Sequence, residues 1–206
     1  MPTGKPRKKQ IAVTAPPANL LPRLTAGETA AVFQILLQKH PDLTSEAEAI
    51  ATEVVASISA EDIAEDVCSS VTSLDLDDLN GRAGKHSWGY VEPTEAAEEL
   101  LQEAVADYFE DMKRKIDLGL ERAAEVVCTG IVLGLLRATR EKSEVVLEWA
   151  PDFPAEHADY AITEYLSQCP KDRRRGAGKR LAAALAASAP DWSDMVSAIV
   201  TRSRAR

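Results

Sequence analysis

Val126-Val127-Cys128-Thr129-Gly130-Ile131-Val132-Leu133-Gly134-Leu135-Leu136 is the most apolar run of the chain, and it sits inside the longer stretch 94–140 around which the rest is organised. With Leu120 as reference, the helical period places Ile116, Ala123, Ala124, Val127, Ile131, Gly134, Leu135 and Ala138 on one side. Val132, Leu133 and Leu136 make the opposite side of the middle apolar too, while Glu121, Arg122, Glu125, Arg137 and Arg140 are expected to face outward at the ends. A helix apolar all round in its middle must be covered on both sides, which predicts an all-α domain with this helix at its centre. Gly119, Gly130 and Gly134 each cost about 1 kcal/mol of helix stability relative to alanine, and their presence predicts close helix approach. A membrane span is excluded by length, since the run has eleven residues flanked by Glu125 and Arg137, against the roughly twenty needed.

The flanking segments continue the helical pattern. Residues 1–23 hold five prolines, five basic residues and no acid, a composition that predicts a disordered basic tail. Thr25 with Glu28 predicts a capping box and a first helix through Ala31, Val32, Ile35 and Leu36 that stops near His40, because Pro41 disfavours helical geometry before it. Thr44 and Ser45 open a second helix and Ser59 with Asp62 a third; the short links predict antiparallel neighbours. Residues 75–93 form the longest stretch without a helical pattern, a possible sub-division of an otherwise single domain over 24–201. Thr94 caps the next helix, and a break near Asp117 to Gly119 turns it into an αα-hairpin with the central helix. Residues 143–149 fit a short helix or an extended piece, and Asp152-Phe153-Pro154 starts a helix that ends at Pro170. Lys171 to Arg180 is a basic run before an alanine-rich helix; a short terminal helix follows Pro190, and 202–206 is a basic tail. Seven to eight helices are expected, arranged as an irregular bundle or a short α-solenoid.

Charge is segregated along the chain. The net charge of −9 divides into +5 over residues 1–23, −20 over 24–170 and +6 over 171–206. Three cysteines far apart give no disulfide framework, and no apolar segment of a secretory signal precedes a cleavage site, so a soluble cytoplasmic protein without a membrane anchor is expected.

Motifs for chemistry are incomplete throughout. Anchoring a calcium loop on Gly81 puts Leu76 at its first ligand position and Ser87 at its twelfth, so Asp77, Asp78 and Asn80 are read as cap and turn residues. Gly176-Ala177-Gly178-Lys179-Arg180 lacks the leading glycine of a phosphate loop, where Arg173 stands, and its Ser or Thr, where Arg180 stands. His40, His86 and His157 have no metal-ligand spacing to one another or to cysteine, and no Glu-x-x-His pair, Gly-x-Ser-x-Gly elbow or Cys-x-x-Cys occurs. Neither a cofactor nor a catalytic set is therefore expected. Two candidate contact regions stand out. Arg82, His86, Trp88 and Tyr90 form a possible interaction surface, against the more ordinary reading in which the aromatics plug the loop onto the core. Arg173, Arg174, Arg175, Lys179 and Arg180 form a possible anion or nucleic-acid contact, without interleaved stacking aromatics.

Leu118-Gly119-Leu120-Glu121-Arg122-Ala123-Ala124-Glu125, a glycine turn followed by small residues opening a helix, resembles the middle of a tetratricopeptide-type αα-hairpin. The resemblance covers one hairpin; Glu121 stands where the family has an aromatic, and no repeat of that period recurs. It implies helix pairs stacked into a surface that holds peptides or other proteins. The resulting expectation is a non-catalytic interaction or adaptor module with a protein partner or a second copy of itself. The alternative is a nucleic-acid-associated or regulatory protein using 171–180, and an enzyme with a site around Asp77 to Tyr90 ranks third.

Overall fold

The computed structural model describes residues 19–87, 89–141 and 146–203, and these fold into two compact units, Met1–Ile50 and Ala51–Arg206. The expected basic tail over 1–18, Trp88, residues 142–145 and the end of the C-terminal tail at 204–206 lie outside the described residues.

In the first unit a 3-10 turn, Leu21–Arg23, precedes α1, Ala26–Lys39. The expected capping box forms: the Glu28 amide donates to Thr25 Oγ1 at 3.3 Å and the Thr25 amide to Glu28 Oε2 at 2.9 Å. The helix stops at His40, and the 3-10 turn Pro41–Leu43 leads into α2, Thr44–Ala56, which runs past the unit boundary. No side chain of α1 or α2 is fully buried.

The second unit is built around the apolar run. It comprises α3 (Ala60–Thr72), α4 (Leu76–Arg82), strands β1 (Gly84–His86) and β2 (Gly89–Val91), α5 (Pro93–Asp117), α6 (Glu121–Ala138), α7 (Val146–Trp149), α8 (Phe153–Gln168), α9 (Lys171–Ser188), the 3-10 turn Pro190–Trp192 and α10 (Ser193–Ser203). The class is all-α, with ten α-helices among the described residues rather than seven or eight; α4 and α7 are the additions. α4 arises because Asp75 accepts from the Asp77 and Asp78 amides while Asp78 reaches back to the Asp75 amide, a second capping box. The stretch 75–93 is therefore a capped helix plus a two-residue-linked hairpin, with Gly84 opposite Val91 and His86 opposite Gly89, not an irregular loop.

α6 is the central helix, with α3, α5, α8 and α9 packed around it and every residue from Val127 to Leu136 buried. Two of its glycines work as expected. A Cβ at Gly130 would lie 2.6 Å from the Cβ of Ile63 and one at Gly134 2.6 Å from the Cβ of Val67, so α3 crosses α6 where only hydrogen fits. Gly119 serves a different purpose: its φ of +74° closes α5, with the Leu120 amide donating to the Lys115 carbonyl at 2.9 Å and the Gly119 amide to Ile116 at 2.8 Å. This turn is the break that makes α5 and α6 a hairpin. Among the described residues no helix is long and apolar enough to cross a membrane.

Candidate functional site

The first unit leaves its apolar stripe uncovered. Val32, Ile35 and Leu36 fall on one side of α1 and Phe33 borders them, and they are 41%, 50%, 44% and 48% exposed. Ile50 on α2 is 54% exposed. Helices of 14 and 13 residues draw little stability from propensity alone.

The residues singled out around the hairpin are held for structural work. Arg82, on the last turn of α4, grips Glu103 of α5 through two parallel bonds of 2.8 and 2.9 Å and reaches Glu99 at 3.5 Å. The guanidinium holds the Glu103 carboxyl below the usual carboxylate range. His86 Nε2 lies 2.7 Å from the Arg82 carbonyl oxygen, tying β1 back to α4. Tyr90 is 63% exposed, the most open of the described three, while Arg82 and His86 are half-buried.

The basic segment is helical from Lys171 onward, not a loop before a helix, and the helix divides its charges. Arg173 bonds Glu121 at 2.9 and 3.0 Å; Arg174 donates to the Ser167 carbonyl at 2.7 Å, closing the end of α8. Arg180 turns inward to Glu125 with bonds of 3.2, 3.0 and 2.7 Å. Lys171, Arg175 and Lys179, spaced by one turn each, remain exposed on the outer face.

Glu125 corrects the expectation that it faces solvent. It is 8% exposed, buried in the centre of the unit, and accepts from Arg180, from the Tyr165 hydroxyl at 3.0 Å and from Arg122 at 3.2 Å. Burial pushes the Tyr165 phenol far above its ordinary value, so it stays a donor. Four N–H and O–H donors on three side chains thus meet this carboxylate, which ties α6, α8 and α9 together. Burial likewise pushes the Cys128 and Cys169 thiols up, away from the thiolate that reactive cysteines need. The sequence carried a signal for Glu125: one turn on, its side of the helix continues in Cys128, Thr129 and Val132, all buried.

A groove of about 310 Å³ opens where α5 meets the start of α8, lined by Thr94, Glu98 and Gln102 from α5, Trp149 at the end of α7, the link Ala150 to Asp152, and Phe153, Glu156 and His157 from α8. His157 is fixed there, its ring stacked on Phe153 at 3.7 Å between centroids and its Nδ1–H donating to the Phe153 carbonyl at 3.1 Å. Burial holds its imidazole below the ordinary value, so the ring is uncharged at neutral pH. None of these residues stood out in the sequence as a site. No group of three potential metal ligands converges among the described residues. No family model matches the chain, and neither curated proteins nor solved structures show a relative.

Proposed function

We propose that this protein is a non-catalytic interaction module that receives an apolar helical segment of another protein on α1. The observation that carries the reading is the stripe Val32, Ile35 and Leu36 with Phe33, large apolar side chains 41% to 50% exposed on a helix that buries nothing. Covering the half of each side chain still exposed contributes about 1 kcal/mol, so a partner presenting a complementary apolar face gains affinity from a short contact. Replacing Phe33 and Ile35 together by aspartate is expected to weaken that contact about thirtyfold or more, from about 2 kcal/mol of lost burial. Quantitative affinity capture from the native cell with wild type and F33D/I35D side by side checks this. Partners retained by wild type and lost by the variant support the reading, and recovery of only the protein itself turns it into a homo-oligomer. An identical set from both sinks it. The melting temperature of the second unit stays unchanged, because the α1 side chains are not part of any buried core.

A nucleic-acid-associated role is the second reading, favoured by the exposed row Lys171, Arg175 and Lys179. Arg173, Arg174 and Arg180 are already engaged within the fold, which reduces the charge on offer. Retention on DNA that falls with salt and disappears in R175A/K179A is the expected outcome for this reading; no retention at low salt removes it.

A further inference from the structure

The groove between α5 and α8 holds negative charge that the described residues leave unbalanced. Glu98, Asp152 and Glu156 line it, all three are exposed, and none is ion-paired to a described lysine or arginine. His157 supplies no compensating charge, since it is neutral and its Nδ1–H is committed to Phe153. Trp149 lines the same groove and is 44% exposed, an aromatic surface open to a cation. The volume of about 310 Å³ is at the small end of ligand sites, room for one or two long side chains and not for a folded surface. Thr94 and Gln102 add hydrogen-bond donors, which a peptide carbonyl can meet and a protonated amine, having no acceptor, cannot.

We propose that this groove binds a basic peptide segment, seating a lysine or arginine side chain with its aliphatic stem against Trp149 and its charged head among Glu98, Asp152 and Glu156. Both halves of such a side chain then find a match: the methylene stem covers the indole and the apolar link Ala150–Pro151, and the head meets carboxylates. The groove is lined by residues of the second unit alone and the apolar stripe belongs to the first, so each reading stands or fails alone.

The test is an anisotropy titration of the full-length protein into a fluorescein-labelled peptide of alternating lysine and alanine, at low ionic strength where charge pairing is least screened. The same peptide with glutamine for lysine serves as control. Glu98→Gln with Glu156→Gln is expected to weaken binding at least tenfold, and Trp149→Ala three- to tenfold; these exposed positions leave folding intact, which a thermal melt verifies. Glu46→Gln with Glu53→Gln removes equal charge from α2 and is expected to leave affinity unchanged. Absence of lysine-dependent binding overturns the proposal, as does unchanged affinity in Trp149→Ala. Equal weakening by the two glutamate pairs also overturns it, because it reveals attraction to the acidic body as a whole. Spermine is titrated in parallel: displacement of the peptide only at much higher amine concentration supports a peptide site, and tighter binding of spermine, lost in the same variants, overturns the peptide assignment in favour of a free polyamine.

Discussion

Alanine at Gly134 is expected to destabilise the second unit by about 2 kcal/mol, even though alanine is the better helix former by about 1 kcal/mol. The added Cβ would stand 2.6 Å from the Cβ of Val67 and 2.7 Å from the Ala64 carbonyl oxygen. The second neighbour is backbone, which cannot rotate away, so α3 must move off α6 or the helices must deform. Either response opens the packing of Val67, Val71, Ile131 and Leu135, all fully buried. For a domain of this size the loss corresponds to a fall in melting temperature of about 4–8 °C. Gly27 on α1 is the internal control, because a Cβ there meets nothing within 4 Å and alanine is expected to strengthen its helix. A G134A protein that melts at or above the wild-type temperature would falsify the close crossing of α3 and α6.

Arg180→Met should cost nearly as much, through a different mechanism. The change keeps most of the aliphatic stem but removes the bonds of 3.2, 3.0 and 2.7 Å to Glu125, whose side chain is 11% exposed. Orphaning one member of a fully buried ion pair costs about 3–5 kcal/mol. The Arg180 side chain is 38% exposed, so solvent screens part of the interaction, and about 2 kcal/mol is the expected loss. A double-mutant cycle with Glu125→Gln separates lost pairing from lost packing. Glutamine still accepts from Tyr165, so Arg180→Met in that background is expected to cost less than about 1 kcal/mol. Equal costs in the two backgrounds, measured by urea unfolding, would show that Arg180 contributes packing alone.

These two sites differ in how far the sequence disclosed them. The all-apolar middle of 126–136 announced a central helix, and Gly130 and Gly134 within it announced a close crossing; neither named α3 as the helix that crosses. The caps at Thr25 and Ser59 and the turn at Gly119 were legible because each is decided by bonds to residues within a few positions in the chain. α4 was missed because in the sequence Asp77, Asp78 and Asn80 read as cap and turn residues, and a helix of seven residues is too short to show a period.

Contacts made across long separations were not legible. Glu125 reads as a solvated charge in the sequence although Cys128, Thr129 and Val132 continue its side of α6, because nothing local announces that Arg180, fifty-five positions later, reaches it. The basic run 171–180 looked like a single patch, and only the packing of α8 and α9 against α6 engaged Arg173, Arg174 and Arg180 with Glu121, the Ser167 carbonyl and Glu125, while Lys171, Arg175 and Lys179 point to solvent. The acidic groove needed α5 and α8 side by side before Glu98 and Glu156 could face one volume. By itself, then, the sequence determined the helical class, most helix limits and the position of the central helix, because these follow from local hydrogen bonding and the periodicity of apolar side chains. Only the tertiary structure decided which charges are partnered and which are left to meet something else, because desolvation and pairing depend on neighbours that the chain brings together from far apart.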